Sequence, residues 1–418
     1  MVIVSRRVRL QSLFGVALAL GLAACAGGEA RVTDAPATPV ATASAPTAIP
    51  CPSPVISAAG LGMLARRGPA DGVWVGMNID WRAETVADVT NRLGDPPAAV
   101  VSFVAFPLAP TDVKNLDAAA LQARDAGAVL VATLEPWSGL STVDVRAATG
   151  LADRLAEYGA DGVPTIVRFA HEMNGSWYPW GQDPAAYVAT FRLVADAVHA
   201  GAPTGGMLWA PNQGAGYPYA GGRYEAKPGS PAARLLDTDG DGVLDAGDDP
   251  YAPYWPGTAY VDWVGMSLYH WGTAYPWGEN EIPAAGTFAG MITGSPPGGG
   301  EQAPDFYGGY AERYLKPLAI VESAAFYRPG GGGAPESAIK SAWLAEVFSA
   351  EGRSRFPLLR LINWFEWRKY EAEVDAIVDW RITTDDGLRA WFLAAMTDGY
   401  RLGPAVPEAA AASDCPAP

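Results

Sequence analysis

Apolar residues recur along this chain in short runs, separated by longer stretches of helical periodicity. The runs Val73–Ile79, Val100–Phe106, Val129–Leu134, Thr165–Ala170, Gly206–Ala210, Val261–Leu268, Leu318–Val321 and Leu358–Trp364 are mostly rich in β-branched residues and short enough to be buried strands. Between them Ala83–Leu93, Ala118–Ala126, Val145–Tyr158, Pro184–Ala200 and Ala338–Ala350 carry amphipathic spacing, and Asp385–Thr397 follows the eighth run. Alternation of buried strand and helix predicts an α/β fold with a parallel sheet. Eight such units predict a (β/α)8 TIM barrel forming a single catalytic domain. A doubly wound sheet is the alternative, but no glycine-rich nucleotide turn follows any strand.

The ends of the chain break the pattern. Arg6, Arg7 and Arg9 precede an apolar run from Leu10 to Leu22 that is too short for a comfortable membrane span. It ends in Leu22-Ala23-Ala24-Cys25, which resembles a bacterial lipobox and makes Cys25 the expected lipidation site; ordinary signal cleavage is the alternative. Residues 1–25 are thus expected to be a lipoprotein signal peptide and 26–52 an Ala/Pro/Thr-rich tether. The barrel is expected over 53–405, and 406–418 as a tail. The protein is expected to be exported, and either lipid-anchored at the cell surface or outer membrane or secreted. Cys51 and Cys415 bracket the barrel, and in an exported protein they can form a disulfide if the fold brings them together, or remain two free thiols.

Composition narrows the chemistry. A formal charge of −16 argues against nucleic acid and other polyanions, and agrees with a neutral polymer. The 15 tryptophans allow both a large core and a ring-lined cleft. No cysteine lies between residues 52 and 414, which excludes thiol catalysis, and the three histidines lack zinc-site spacing. No catalytic cofactor is expected. His199 lies on a helix and is expected at its surface, while Gly298–Gly300 and Gly330–Gly333 are expected to be loops.

In barrels of this kind chemistry sits at the C-terminal strand ends. Here the third run leads into Glu135-Pro136-Trp137, and the fourth, which carries Arg168, into His171-Glu172. The fifth ends in Trp209-Ala210-Pro211-Asn212, the sixth in Tyr269-His270-Trp271, the seventh in Glu322 and the eighth in Asn363-Trp364. Trp177, Tyr178 and Trp180 follow the fourth strand; Tyr275 and Trp277 could be further sugar platforms or packing residues. Glu172 and Glu322 end strands roughly opposite across the barrel mouth. Two carboxyls about 5–5.5 Å apart suit retaining glycoside hydrolysis, one attacking the anomeric carbon and the other protonating the leaving oxygen.

The segments R-F-A-H-E-M-N-G-S-W-Y-P-W-G (Arg168–Gly181), L-W-A-P-N (Leu208–Asn212) and Y-W-P-G-T-A-Y-V-D-W-V-G (Tyr254–Gly265) resemble glycoside hydrolase family 26, the β-mannanase family. The resemblance spans roughly residues 70–400. It implies Glu172 as acid/base, Glu322 as nucleophile, and His171 in the place before the acid/base. It further implies Tyr269 as hydrogen-bond donor to the nucleophile, Trp364 as platform under the sugar at the scissile bond, and Trp177 as an aromatic beside the cleft. Trp180, Trp209, Asn212, Trp271, Glu135, Trp137 and Arg168 are expected around the substrate. The nucleophile segment Glu322-Ser323-Ala324 and the stretch Trp364–Glu371 depart from the family pattern, and the loops around Glu322 and Trp364 are expected to shape the subsites. The expected substrate is β-1,4-mannan or a related neutral β-glycan cut internally by a monomer. Mixed-linkage glucan or β-xylan, and a non-catalytic surface glycan-binding lipoprotein, stay as alternatives.

Independently, Asp237-Thr238-Asp239-Gly240-Asp241-Gly242-Val243-Leu244-Asp245-Ala246-Gly247-Asp248 fits a calcium-loop pattern. Asp237, Asp239, Asp241, Asp245 and Asp248 supply side-chain oxygens and Val243 its carbonyl, with glycine at the sixth position. A structural Ca2+ is expected there; an acidic turn without metal is the alternative.

Overall fold

The computed structural model describes residues 56–407, except 274, 276, 397 and 398. Cys25, Cys51 and Cys415 lie outside the described residues, as do the expected signal, tether and most of the tail. Eight parallel strands, β1 (Val73–Ile79), β2 (Ala99–Ala105), β3 (Val129–Glu135), β4 (Thr165–Phe169), β5 (Gly205–Trp209), β6 (Trp263–Ser267), β7 (Leu318–Ser323) and β8 (Leu359–Glu366), follow one another round a closed sheet. Closure is made by β1 against β8, with Trp74 opposite Leu361 and Ile79 opposite Glu366. The expected (β/α)8 barrel is therefore present, and each expected strand agrees with an observed one to within three residues.

Helices α1 (Ala58–Arg67), α2 (Val86–Leu93), α3 (Pro110–Ala126), α4 (Val145–Ala160), α5 (Pro184–Gly201), α6 (Pro231–Leu236), α7 (Thr287–Ile292), α8 (Glu336–Val347), α9 (Ala350–Arg355) and α10 (Asp386–Ala395) complete the unit. Their starts follow local chemistry. Thr85 and Asp88 form a reciprocal capping box on α2, Asp144 caps α4, and Asp183 caps α5 ahead of Pro184. Among the described residues no helix is long and apolar enough to cross a membrane.

Two apolar layers result. Trp74, Val101, Val131, Ile166, Leu208, Trp263, Val321 and Leu361 fill the barrel interior, and a larger cluster lies between strands and helices. Strand alternation carries the inward face of β3 from Val131 to Glu135, of β4 from Ile166 to Arg168, and of β6 from Trp263 to Ser267. β7 breaks the alternation. Its pairing with β6 runs Met266–Ile320 then Ser267–Glu322, so Val321 is an extra residue. This bulge turns Glu322 inward, although Ile320 and Ser323 belong to the outer layer, where Ser323 accepts from Trp343 of α8.

After β8 the chain makes an antiparallel hairpin, β9 (Arg368–Glu371) with β10 (Ala376–Asp379), and β11 (Tyr400–Arg401) later pairs with the start of β1. The hairpin was not expected from sequence. It returns Trp380 to the barrel mouth, where Trp380 Nε1 donates to Glu371 Oε1 at 2.8 Å.

Candidate active site

Glu322 stands at the centre of the mouth. Arg168 Nη1 donates to its Oε1, and Tyr269 donates its hydroxyl to Oε2 at 2.6 Å. The Arg168 guanidinium is out of contact with water, so this is a buried ion pair whose partners must hold each other. Burial, with the adjacent Glu322 charge, pushes the Tyr269 phenol well up, which keeps it a donor. Arg168 Nη2 continues to Ser267 Oγ at 2.7 Å.

Glu172 reaches the same space from β4. Strand geometry ends at Phe169, and Ala170 and Glu172 take positive φ values of 46° and 53°. Left-handed backbone at two non-glycine residues is costly and is held here by the surroundings. The Glu172 N–H donates to the Ala210 carbonyl at the end of β5 (2.9 Å), and Trp177 Nε1 donates to Glu172 Oε2 at 3.0 Å. Burial raises the Glu172 pKa and the negative charge of Glu322 raises it further, against the opposing effects of Arg168, Ser267 and Trp177. A carboxyl whose pKa is raised beside one that is ion-paired is the division of labour an acid and a nucleophile need. Glu135, inward at the end of β3, is a third carboxyl here. Burial pushes it up to about 7, against the Trp137 hydrogen bond and with the help of Glu322.

Rings flank the carboxyls on two sides. On one, Trp137 meets Tyr178 edge-on with centroids 5.6 Å apart, Tyr178 stacks on Trp180 at 4.5 Å, and Trp177 meets Tyr219 at 5.1 Å. On the other, Tyr269 packs on Trp380 at 5.2 Å, Trp380 on Trp271 at 4.9 Å, and Trp271 on Trp277 at 5.7 Å. Trp137, Trp177, Tyr275 and Trp277 are exposed, so both arms reach solvent.

Several expected sugar contacts are placed elsewhere. Trp364 is fully buried on the outer face of β8, donating to the Trp380 carbonyl at 3.1 Å and packing towards Phe392 of α10. One step of strand alternation separates it from Phe365, which faces the mouth against Tyr269. Trp209 is likewise turned outward and fully buried, stacked on Phe306. Trp180 is fully buried behind Tyr178 and donates to the His171 carbonyl, so it supports the site without touching the cleft. Arg168 is a partner of Glu322 and has no exposed surface to offer a sugar. His171 is buried among Phe103, Tyr178 and Trp180; burial, then the Arg168 charge, hold its pKa well below the ordinary value, so the ring is neutral and positions its neighbours. Asn212 is partly exposed at the mouth and exchanges two hydrogen bonds with Asn174.

Ser267, Phe365, Trp380 and Tyr219 were missed. Ser267 and Phe365 carry a signal, the inward alternation of β6 and β8. Trp380 and Tyr219 come from connections whose path no local pattern fixes.

The aspartate loop lies in the β5–β6 connection. Carboxylate oxygens of Asp237, Asp239 and Asp248 lie within 4.8 Å of one another. Asp241 and Asp245 stand outside this group and accept from the Val243 and Gly247 N–H groups at 2.7 Å each. Gly242, at φ 89°, makes the sharp turn. Among the described residues no lysine or arginine pairs with these aspartates; Asp237 accepts from the Gly240 and Gly242 N–H groups, and Asp248 from those of Thr238 and Asp245. A cavity of about 610 Å3 lies beside this loop, lined by Tyr217, Asp239 and Glu301, and neither Glu172 nor Glu322 lines it.

A model of Glycosyl hydrolase family 26 matches residues 140–224. Endoglucanase H of Acetivibrio thermocellus is 30% identical over 165 residues, 37% of this chain, and the match spans 15% of that relative's length. The solved structure of GH26C from a Muricauda species superposes with a TM-score of 0.50 at 14% identity, covering 84% of this chain and 91% of the other, which speaks to the fold.

Proposed function

We propose that the chain, whose residues 140–224 match the model of Glycosyl hydrolase family 26, is an endo-acting, retaining hydrolase of β-1,4-mannan or a related neutral β-glycan. The observation that supports this reading is the pairing of Glu322 with Arg168 and Tyr269, beside a Glu172 whose pKa burial and the Glu322 charge raise.

In the first step Glu322 attacks the anomeric carbon as Glu172 gives its proton to the departing glycosidic oxygen, leaving a glycosyl ester on Glu322. In the second, Glu172 takes a proton from water, whose oxygen displaces Glu322 and restores both groups. Arg168 and Tyr269 hold the Glu322 oxygens in place throughout. Rings on both sides of the pair suit a chain that extends past the cut in both directions, hence internal cleavage.

Mixed-linkage glucan is a second substrate reading, favoured by the name of the relative, Endoglucanase H. Three further parts belong to the proposal. The protein is exported by its N-terminal segment and anchored through Cys25; Cys51 and Cys415 form a disulfide; and Asp237, Asp239 and Asp248 hold a structural Ca2+ that takes no part in the chemistry. The working unit is a monomer with a neutral polysaccharide as its only partner.

The test is a panel of mannan, galactomannan, mixed-linkage glucan and xylan with reducing-end detection. Fastest release from mannan, with a rapid fall in viscosity, is expected. Fastest release from mixed-linkage glucan selects the second reading, and inertness on all four removes both.

A further inference from the structure

Trp177 Nε1 donates to Glu172 Oε2 at 3.0 Å, yet Trp177 is an exposed residue of the loop after β4. Two contacts hold its indole against the carboxyl. One comes from its own loop. A Cβ at Gly175 would overlap the six-membered ring of the indole, so the missing side chain there makes the room that the ring fills. The other comes from the β5–β6 connection, where Tyr219 meets the indole edge-on with centroids 5.1 Å apart.

Tyr219 is itself tightly constrained. Its φ is 55°, a left-handed conformation that a bulky residue adopts only where the surroundings impose it. Its N–H donates to the Gly216 carbonyl at 2.8 Å, its carbonyl accepts from Ser176 Oγ at 2.5 Å, and its hydroxyl donates to the Gln213 carbonyl at 2.6 Å. Gln182 joins the same two connections, donating to the Pro218 carbonyl at 2.6 Å and accepting from the Ala226 N–H at 2.8 Å. Backbone and hydroxyl are thus both held, and the ring between them is set against Trp177. We infer that Tyr219 is a positioning residue for the acid/base: by fixing the Trp177 indole it keeps the Nε1 hydrogen on Glu172 Oε2 and so orients that carboxyl.

This inference rests on the role proposed above for Glu172. An indole N–H can only donate. Of the two oxygens of a protonated carboxyl, the carbonyl oxygen is the better acceptor, so Trp177 on Oε2 favours Oε1 as the oxygen that carries the proton. A general acid works only where its proton lies within hydrogen-bond reach of the departing oxygen, and a small misplacement of such a group costs rate steeply. The connection after β5 therefore contributes to protonation of the leaving group without touching the sugar.

The test is NMR of the indole N–H groups in the full-length protein, with the Trp177 signal assigned by its loss in Trp177→Phe. That signal should shift when Glu172→Gln is introduced into wild type, because the carboxyl is its acceptor. In Tyr219→Ala it should move toward the position of a free indole and lose its response to Glu172→Gln. Tyr219→Phe keeps the ring edge and should retain both. Gly175 has an ordinary backbone conformation, so Gly175→Ala tests space alone; it should crowd the indole and reproduce the Tyr219→Ala signal. On aryl glycosides of graded leaving group, Tyr219→Ala should lose about tenfold in kcat/KM with the poorest leaving groups and little with the most activated. A Trp177 signal that still responds to Glu172→Gln in folded Tyr219→Ala or Gly175→Ala protein would overturn the inference, as would a Phe variant that behaves like Ala. Because the NMR needs no turnover, equal losses across leaving groups in Glu172→Ala would count against the proposed acid and leave the Tyr219 result readable.

Discussion

Tyr269 donates its phenolic hydrogen to Glu322 Oε2 at 2.6 Å, and this contact exists because an extra residue in β7 turns Glu322 toward the barrel interior. With Arg168 on the other oxygen, Glu322 is fixed from two sides. Glu322→Ala should therefore lose turnover by several orders of magnitude, and azide should partly restore it by entering the vacated space. The product should be a glycosyl azide of inverted configuration. The same change strands the Arg168 charge in the interior, which should cost roughly 3–5 kcal/mol of folding stability. Denaturant unfolding and product analysis check the two effects separately.

Glu172 is placed by a strained turn, and burial with the Glu322 charge raises its pKa. Glu172→Ala should harm substrates with poor leaving groups most, because activated aryl glycosides depart with little protonation. A steep leaving-group dependence in the variant, set against a shallow one in wild type, is the expected result; equal losses across the series would remove Glu172 from the role of acid.

Glu135 gives a stability signature. Its pKa is raised to about 7 in the fold from an ordinary 4.5. Above pH 4.5 the unfolded chain sheds this proton while the native state retains it. The group's contribution therefore falls as pH rises to about 7 and is level beyond. Glu135→Gln should be more stable than wild type at pH 8, relative to the same comparison at pH 4. Because Glu135 is partly open to water, the gain should be on the order of 1–2 kcal/mol. Equal pH profiles by denaturant titration would show that the carboxyl ionises freely in the fold.

Much of this architecture is legible in the sequence, and the exceptions have physical causes. Buried parallel strands are continuous apolar runs, so all eight stand out, and helices with polar faces separate them. An apolar run says little about which of its residues face inward. Trp364 and Trp209 have the composition of sugar platforms, yet alternation turns both toward the helices. The Glu322 bulge is silent in sequence, because Ile320, Val321 and Glu322 continue an ordinary strand pattern. The hairpin Arg368–Asp379 alternates weakly and carries charge, so it reads as loop, and with it the position of Trp380 is lost.

The aspartate loop should respond to calcium through stability. Binding to the folded state alone raises the melting temperature by mass action. Calcium added to chelator-stripped protein should raise it, and Asp237→Asn/Asp239→Asn should abolish the response. Initial hydrolysis rates well below the melting temperature should change little, since glutamates alone carry the chemistry. Identical melting curves with and without calcium would identify the loop as an acidic turn.

The central claim is that two glutamates act by double displacement on a β-mannan chain. Proton NMR of the first sugars released from a β-1,4-manno-oligosaccharide tests it most directly, because the anomer formed is recorded before mutarotation. The β-anomer should appear first and convert slowly to the equilibrium mixture. First appearance of the α-anomer would mean direct displacement by water, and would contradict the assignment of Glu322 as nucleophile.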